Sequence, residues 1–325
     1  MSTLDTTTAS ARRPFPGRRA RFGDVLLQGA AGVAALGASA LVALIAWKLV
    51  DGARLSLSTF GLAFASHVGW DPVKLHFGAA AFLYGTVITS IGALILAVPL
   101  ALGIALFLSE LSPNWLRAPV TALVETLAAI PSVIIGLWGI LVLVPLLRDH
   151  VEPTLHALLD FIPIFGPPGS TGAGYFPAIV VLTIMILPII SSISRELFLR
   201  VPDDLKEGAL ALGATRWEMV RGVVMPYTRG GVVAAMILGL GRALGEAIAV
   251  AQVIGAFDRG ISKNLFSPGN TLGAHLAIQF LNAASKLELS SLIYLALILL
   301  VVSLGVNILA QVIVRRTARR LGSVQ

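Results

Sequence analysis

Six long apolar segments, separated by shorter polar stretches, account for most of the chain. Each holds the roughly 20 apolar residues that a helix needs to cross about 30 Å of hydrocarbon. The pattern therefore predicts an all-α polytopic membrane protein with six transmembrane helices. The predicted spans lie at about residues 25–50, 79–108, 119–147, 175–194, 229–257 and 287–314.

Two stretches between the spans have patterns of their own. Residues 271–284 (TLGAHLAIQFLNAA) are apolar on one face but too few to span, which predicts an interfacial or re-entrant helix. Residues 148–174 are rich in Gly and Pro and predict an irregular external loop. The domain prediction is a disordered basic arm at 1–24, the first span with an external loop at 25–74, a core of five spans at 75–314 that includes a cytoplasmic loop at about 201–226, and a basic tail at 315–325.

Charged residues make up only 13% of the chain and hydrophobic residues 56%, whereas soluble domains carry about 25% charged residues. The distribution of the net charge of +7 follows the positive-inside rule. Of the 24 Lys and Arg residues, 16 fall in the amino-terminal arm, the second and fourth loops and the tail, against six in the other three loops. Both termini and the fourth loop are therefore predicted to be cytoplasmic, and the basic charge requires no nucleic acid.

The fourth loop, VPDDLKEGALALGATRWEMV, is the most organised polar stretch of the chain. Acidic residues at its start complement the dipole of a helix that begins near Asp203. This helix is predicted to run to about Leu212 and to end at Gly213, since glycine readily adopts the left-handed conformation that closes a helix. Thr215 and Glu218 then form a capping box for a second helix.

No motif for an energy source or for catalysis accompanies these helices. The nearest approach to a phosphate-cradling G-x-x-x-x-G-K-[ST] loop runs from Gly255 to Gly260 and continues with Ile261 and Ser262. The five histidines lack metal-ligand spacing, and no Ser, His and Asp set has a recognisable catalytic context. The chain is therefore predicted not to be an enzyme and to bind no cofactor or metal itself.

The stretch GRALGEAIAV places Arg242 and Glu246 four residues apart in an apolar span. An ion at the bilayer centre costs roughly 2.5 to 3.5 kcal/mol on insertion scales, so both residues need a compensating role. One alternative is a structural i,i+4 ion pair that faces the bundle interior. The other is a substrate site, because ionisable residues within membrane spans mark substrate and ion paths.

Pro131 lies at a predicted depth similar to that of Arg242. Each is 13 residues from the cytoplasmic end of its predicted span, which is roughly 20 Å at about 1.5 Å per residue. Transporter sites lie near the membrane midplane beside interrupted helices, and Ser132 adds a hydroxyl group next to the proline. Glu125 is only about 10 Å from the cytoplasmic edge by the same count, which favours a gate or a packing role.

The cytoplasmic loop resembles the EAA motif of ABC importer permeases. Glu207, Gly208 and Ala209, followed by Gly213, match the family pattern E-A-A-x-x-x-G, with Gly208 in place of the first alanine. The resemblance implies the type I, MetI-like permease architecture. It also implies that this loop is a cytoplasmic coupling helix, which docks on a separate ATPase subunit and converts its closure into rigid-body movement of the spans.

Four blocks along residues 75–315 are similar to the phosphate-importer permeases of the PstC type. These blocks are LVETLAAIPSVIIGLWGI, IMILPIISSISRELF, KEGALALGATRWEMV and LGLGRALGEAIAVAQVIG. The similarity implies a bacterial cytoplasmic-membrane protein that forms half of a phosphate pathway. It implies as partners a second, PstA-like permease, two copies of a PstB-like ATPase that uses ATP and Mg, and an external PstS-like phosphate-binding protein.

Within such a pathway, the expected substrate-path residues are Arg242, Glu246, Pro131, Ser132 and Glu125. Arg242 is expected to meet the phosphate, while Glu246 orients the guanidinium and occupies it when no anion is present. Three alternatives remain open from the sequence. They are a permease for another oxyanion such as phosphonate, molybdate or sulfate, an ion-coupled secondary transporter with Arg242 and Glu246 in a proton relay, and a membrane anchor or signalling subunit.

Overall fold

The computed structural model describes residues 22–258 and 260–319, and this part of the chain is predominantly helical. Six of its helices are long and apolar enough to cross a membrane, which confirms the predicted number of spans. Most of the predicted arm, residues 1–21, and the end of the predicted tail, residues 320–325, lie outside the described residues. The six helical spans are Gly23–Ala65, Ala80–Leu111, Ser132–Leu159, Tyr175–Leu199, Arg216–Gly245 and Lys286–Leu309.

The described part contains 13 α-helices and one short hairpin. Strands β1 (Trp70–Asp71) and β2 (His76–Phe77) pair antiparallel between the first two spans. The helices are α1 (Phe22–Phe60), α2 (Ala80–Leu106), α3 (Asn114–Ala129), α4 (Ser132–Trp138), α5 (Val144–Leu146), α6 (Glu152–Leu159), α7 (Tyr175–Leu199), α8 (Asp203–Ala211), α9 (Arg216–Met219), α10 (Met225–Gly245), α11 (Ile248–Val253), α12 (Leu272–Gln279) and α13 (Lys286–Arg319).

The first span is longer than the predicted 25–50, because α1 continues to Phe60 and then into a 3₁₀ turn. The chain divides into two compact units, the first ending at Lys48 and the second beginning at Leu49. Within the second unit, Ser290 Oγ on α13 donates a 2.8 Å hydrogen bond to the Gly52 carbonyl and accepts one of 3.0 Å from the Ser56 N–H. The Ser290 hydroxyl group thus joins α13 to α1 by hydrogen bonds.

The centre of the bundle is built on α2 and α7, which pack along each other, with α10 against α7. Ala93, Ala97 and Ala101 recur every four residues on α2 and are fully buried. A Cβ on Gly92 would lie 2.7 Å from Ile179 Cδ1 of α7. Small residues on one face of α2 therefore let the two helices approach closely.

The third span differs from the predicted helix at 119–147. Residues 114–129 form a separate helix, α3, and the chain is extended at Ile130 and Pro131 before α4 begins at Ser132. Proline disfavours the helical conformation of the residue before it, which explains the break. The span then continues through two π-helical segments to Leu159. The predicted irregular loop at 148–174 is therefore helical as far as Leu159, and the prediction was wrong for these residues.

The fifth span also differs from its prediction, a single helix at 229–257. α10 ends at Gly245, Glu246 has an extended backbone (φ −72°, ψ 126°), and α11 starts at Ile248. The predicted short helix at 271–284 is confirmed as α12. Its first turn is capped by Thr271, whose Oγ1 accepts a hydrogen bond from the Ala274 N–H.

Candidate functional site

Two interrupted helices meet in the structure. The chain breaks at Pro131 before α4 and at Glu246 before α11, and α4 packs against α11. A Cβ on Gly136 of α4 would lie 2.8 Å from the Cα atom of Ala249 on α11. Because Gly136 and Ala249 are only five and three residues beyond their breaks, the structure brings the two breaks to a similar level.

Arg242 and Glu246 do not form the i,i+4 ion pair considered from the sequence, and in this structure Glu246 does not occupy the Arg242 guanidinium as expected. Arg242 lies in the last turn of α10 and is exposed, whereas Glu246 has left the helix and is half-buried. Glu246 Oε1 instead accepts a 3.3 Å hydrogen bond from the Ala249 N–H at the start of α11. Within residues 22–258 and 260–319, Arg242 has no ion-pair partner.

Pro131 is exposed at its break, and Ser132 is the half-buried first residue of α4. Glu125 is exposed on α3, which has no buried residue of its own. Glu125 lies in a different place from Arg242, since it lines a cleft of about 150 Å³ between α3 and α7 that none of the other predicted pathway residues lines. The sequence analysis listed Glu125 among the pathway residues, with a gate or packing role, and its exposure argues against packing within this chain.

The same cleft contains a residue that sequence reasoning missed as a site residue. Arg195 of α7 lines it, with NH1 at 3.5 Å from Glu196 Oε1 and a buried Nε that has no hydrogen-bond partner among the described residues. Thr121 on α3 contributes a buried hydroxyl without a partner there as well. From the sequence, Arg195 counted only as one basic residue of the cytoplasmic loop.

The loop at 201–226, which the basic residues predict to be cytoplasmic, has the predicted helix, glycine turn and helix. α8 is closed by Gly213, whose φ is +86°, with hydrogen bonds from the Gly213 N–H to the Leu210 carbonyl (3.0 Å) and from the Ala214 N–H to the Ala209 carbonyl (3.2 Å). The capping box is confirmed: Thr215 Oγ1 accepts from the Glu218 N–H, and Glu218 Oε2 accepts from the Thr215 N–H at 2.8 Å.

The outer face of this loop combines a carboxylate with apolar side chains. Glu207 and Gly208 are exposed, and two large apolar side chains, Leu212 and Trp217, are 91% and 66% exposed. Ala209 faces inward and packs against a buried apolar cluster that includes Phe198 at the end of α7. The loop is thus attached to the spans on one side and presents an unpartnered surface on the other.

Comparison with protein families identifies the class of this protein. The model of the family described as binding-protein-dependent transport system inner membrane component matches residues 97–319. The chain belongs to this family and is a multi-pass inner membrane transport permease, not an enzyme. The alternative class of ion-coupled secondary transporters is therefore set aside.

Individual proteins show which members of the family the chain is similar to in sequence and in fold. The phosphate transport system permease protein PstC of Xylella fastidiosa (strain 9a5c) is 41% identical over 326 residues, 98% of this chain and 98% of the relative. The fold resembles that in the crystal structure of a bacterial alginate ABC transporter (TM-score 0.59, 16% identity, 91% of this chain and 97% of the other). It also resembles that of the inward-facing MetNI methionine ABC transporter (TM-score 0.51, 21% identity, 72% of this chain and 93% of the other). The MetI-like permease architecture is thus confirmed.

Proposed function

We propose that this chain is the transmembrane permease subunit of an ATP-driven importer of inorganic phosphate and forms half of the translocation pathway. The observation that carries the proposal is the exposed Arg242, one turn before a helix break and without an ion-pair partner among the described residues. The 41% identity to a phosphate transport permease over 98% of the chain supports phosphate as the substrate.

A guanidinium group at this position suits an oxyanion. Phosphate cannot cross a low-dielectric path without a compensating charge, and arginine offers two parallel charge-assisted hydrogen bonds to its oxygens. Glu246 holds its carboxylate on the Ala249 N–H, which leaves the Arg242 guanidinium available.

Enclosure of the path requires a second subunit. Arg242, Pro131 and Glu125 are all exposed on this chain, and α3 buries no side chain within it. A second, PstA-like permease that covers these surfaces would shield the pathway from lipid. Pro131 and Ser132 then border the route at the first break, and Glu125 lies in the cleft with Arg195 as part of a gate.

The other proposed partners are an ATPase at the cytoplasmic end of the pathway and a phosphate-binding protein at its external end. The loop face with Glu207, Leu212 and Trp217 suits a groove on an ATPase. Two copies of a PstB-like ATPase would bind and hydrolyse ATP with Mg. An external PstS-like protein would deliver phosphate from the other side. The basic residues favour a cytoplasmic location for both termini in the bacterial plasma membrane.

Reconstitution tests this proposal. The chain is assembled with a second permease and the ATPase in proteoliposomes, with the binding protein on one side and ATP on the other. We expect radiolabelled phosphate to accumulate only when both the binding protein and ATP are present. If the proteoliposomes accumulate sulfate, molybdate or a phosphonate but not phosphate, phosphate is not the substrate. If a proton gradient drives phosphate uptake in the absence of ATP, the proposed ATP-driven mechanism is wrong.

A further inference from the structure

A largely buried ion pair lies at the base of the cytoplasmic loop, behind the exposed Glu207. Lys206 Nζ on α8 lies 2.7 Å from Glu110 Oε1 and donates a second, 3.3 Å hydrogen bond to the Phe198 carbonyl. The side chains of Lys206 and Glu110 are only 13% and 10% exposed. Two neighbouring residues of α8 therefore have opposite surroundings, since Glu207 is exposed and Lys206 is held against the spans.

The pair connects the loop to two spans at once. Glu110 belongs to the π-helical segment that ends the second span, and Phe198 lies near the end of α7. Arg216, at the start of α9, also donates from NH1 to the Glu110 carbonyl at 3.3 Å. Both helices of the loop therefore hold Glu110, one through its side chain and one through its backbone.

The spans held in this way lead toward the helix that carries Arg242. α2 packs along α7, and α7 packs against α10, where a Cβ on Gly239 would lie 2.9 Å from Ile190 Cδ1. Apolar contacts of the loop are not directional and permit sliding. A short, buried, charge-assisted hydrogen bond fixes the position of Lys206 relative to Glu110 much more strictly.

We propose that the Glu110–Lys206 pair is the positioning link that makes α2 and α7 follow the cytoplasmic loop when the ATPase moves it. This inference rests on the proposed function of the loop. Neither residue touches the substrate or nucleotide in this role. Loss of the pair is expected to leave ATP hydrolysis running while the spans follow it poorly, so that more ATP is consumed for each phosphate imported.

The test measures ATP hydrolysis and phosphate uptake together in proteoliposomes that contain the assembled complex. Lys206→Met and Glu110→Gln are each expected to raise the ratio of ATP hydrolysed to phosphate imported by about tenfold, since removal of one partner leaves a buried charge uncompensated. The exchanged pair, Glu110→Lys with Lys206→Glu, is expected to bring the ratio back toward that of the wild type. Arg54→Met is the matched control, because it breaks the exposed Arg54–Asp51 pair (3.2 Å) and should leave the ratio unchanged.

If the single variants keep the wild-type ratio of ATP hydrolysed to phosphate imported, the inference is overturned and the pair has only a structural role. This includes the case in which hydrolysis and uptake fall by the same factor. If the single variants do not assemble, Glu110→Asp is measured instead, because it keeps the charge on a shorter side chain. A raised ratio in that variant supports the link, and a wild-type ratio overturns it. A wild-type complex that imports no phosphate would instead overturn the proposed function.

Discussion

Gly136 and Ala249 are in backbone contact range, since a Cβ on Gly136 would lie 2.8 Å from the Ala249 Cα atom and 2.9 Å from Gln252 Oε1. Glycine is therefore the residue that allows α4 and α11 to pack together. This contact holds the segments that follow the two helix breaks, and it fixes where Pro131 and Glu246 lie relative to each other.

Gly136→Val is expected to destabilise the protein by about 1 to 3 kcal/mol, because the added methyl groups overpack the contact. Thermal unfolding of the purified complex in detergent measures the effect as a lower melting temperature. Gly103→Val is the control, since Gly103 also lies in a helix but has no neighbouring atom within 4 Å of an added Cβ. Equal melting temperatures for the two variants would contradict the close contact.

Arg242→Gln is expected to reduce phosphate uptake by at least about tenfold, because a neutral amide cannot compensate the charge of a dehydrated anion. Arg242→Lys is expected to be a poor substitute, since it keeps the charge but loses the bidentate geometry. Uptake is measured in cells with matched amounts of each variant in the membrane. Wild-type uptake by Arg242→Gln would show that the arginine is not part of the phosphate path.

Gly213→Ala is expected to destabilise the loop at 201–226 by about 1 kcal/mol or more, because alanine is strained at a φ of +86°. Gly208→Ala, in the middle of α8, is expected to stabilise the helix by up to about 1 kcal/mol. Neither glycine has a neighbour within 4 Å of an added Cβ, so the comparison isolates backbone conformation. Hydrogen exchange of the loop in the chain purified without the ATPase measures both effects. Equal protection in the two variants would contradict this assignment.

Single cysteines test the orientation, since the chain has no native cysteine. Ser170→Cys is expected to react with an impermeant thiol reagent added outside intact cells, because Ser170 is exposed in the predicted external loop. Ser2→Cys and Thr215→Cys are expected to react only after the membrane is opened. Labelling of Thr215→Cys from outside would place the loop on the wrong side for an ATPase.

Local chemistry explains which parts of the structure were predictable. Gly213 and the Thr215–Glu218 capping box were predicted correctly, because each depends on residues within one turn of the chain. The six spans were predicted for a similar reason, as length and apolarity alone decide whether a helix can cross the bilayer.

Long-range packing explains what was not predictable. The end of α10 at Gly245 has no proline to signal it. Just after it, Ala249 N–H donates a hydrogen bond to Glu246 Oε1, and Ala249 contacts Gly136 of α4. The Glu110–Lys206 pair joins residues 96 positions apart, which a single sequence does not reveal. The substrate roles of Arg242 and Glu246 stay predictions until uptake is measured.

Arg242 is exposed on this chain, and this exposure has a consequence for how the membrane complex assembles. In a solitary copy of the chain, the guanidinium would face lipid at a cost of roughly 2.5 to 3.5 kcal/mol. The proposed second permease would remove that cost by covering this surface, and copies of the chain without it would then be less stable in the membrane. If the proposed second permease covers Arg242, an unpaired copy of this chain leaves a charged group uncovered in the membrane, and balanced synthesis of the two subunits avoids that cost.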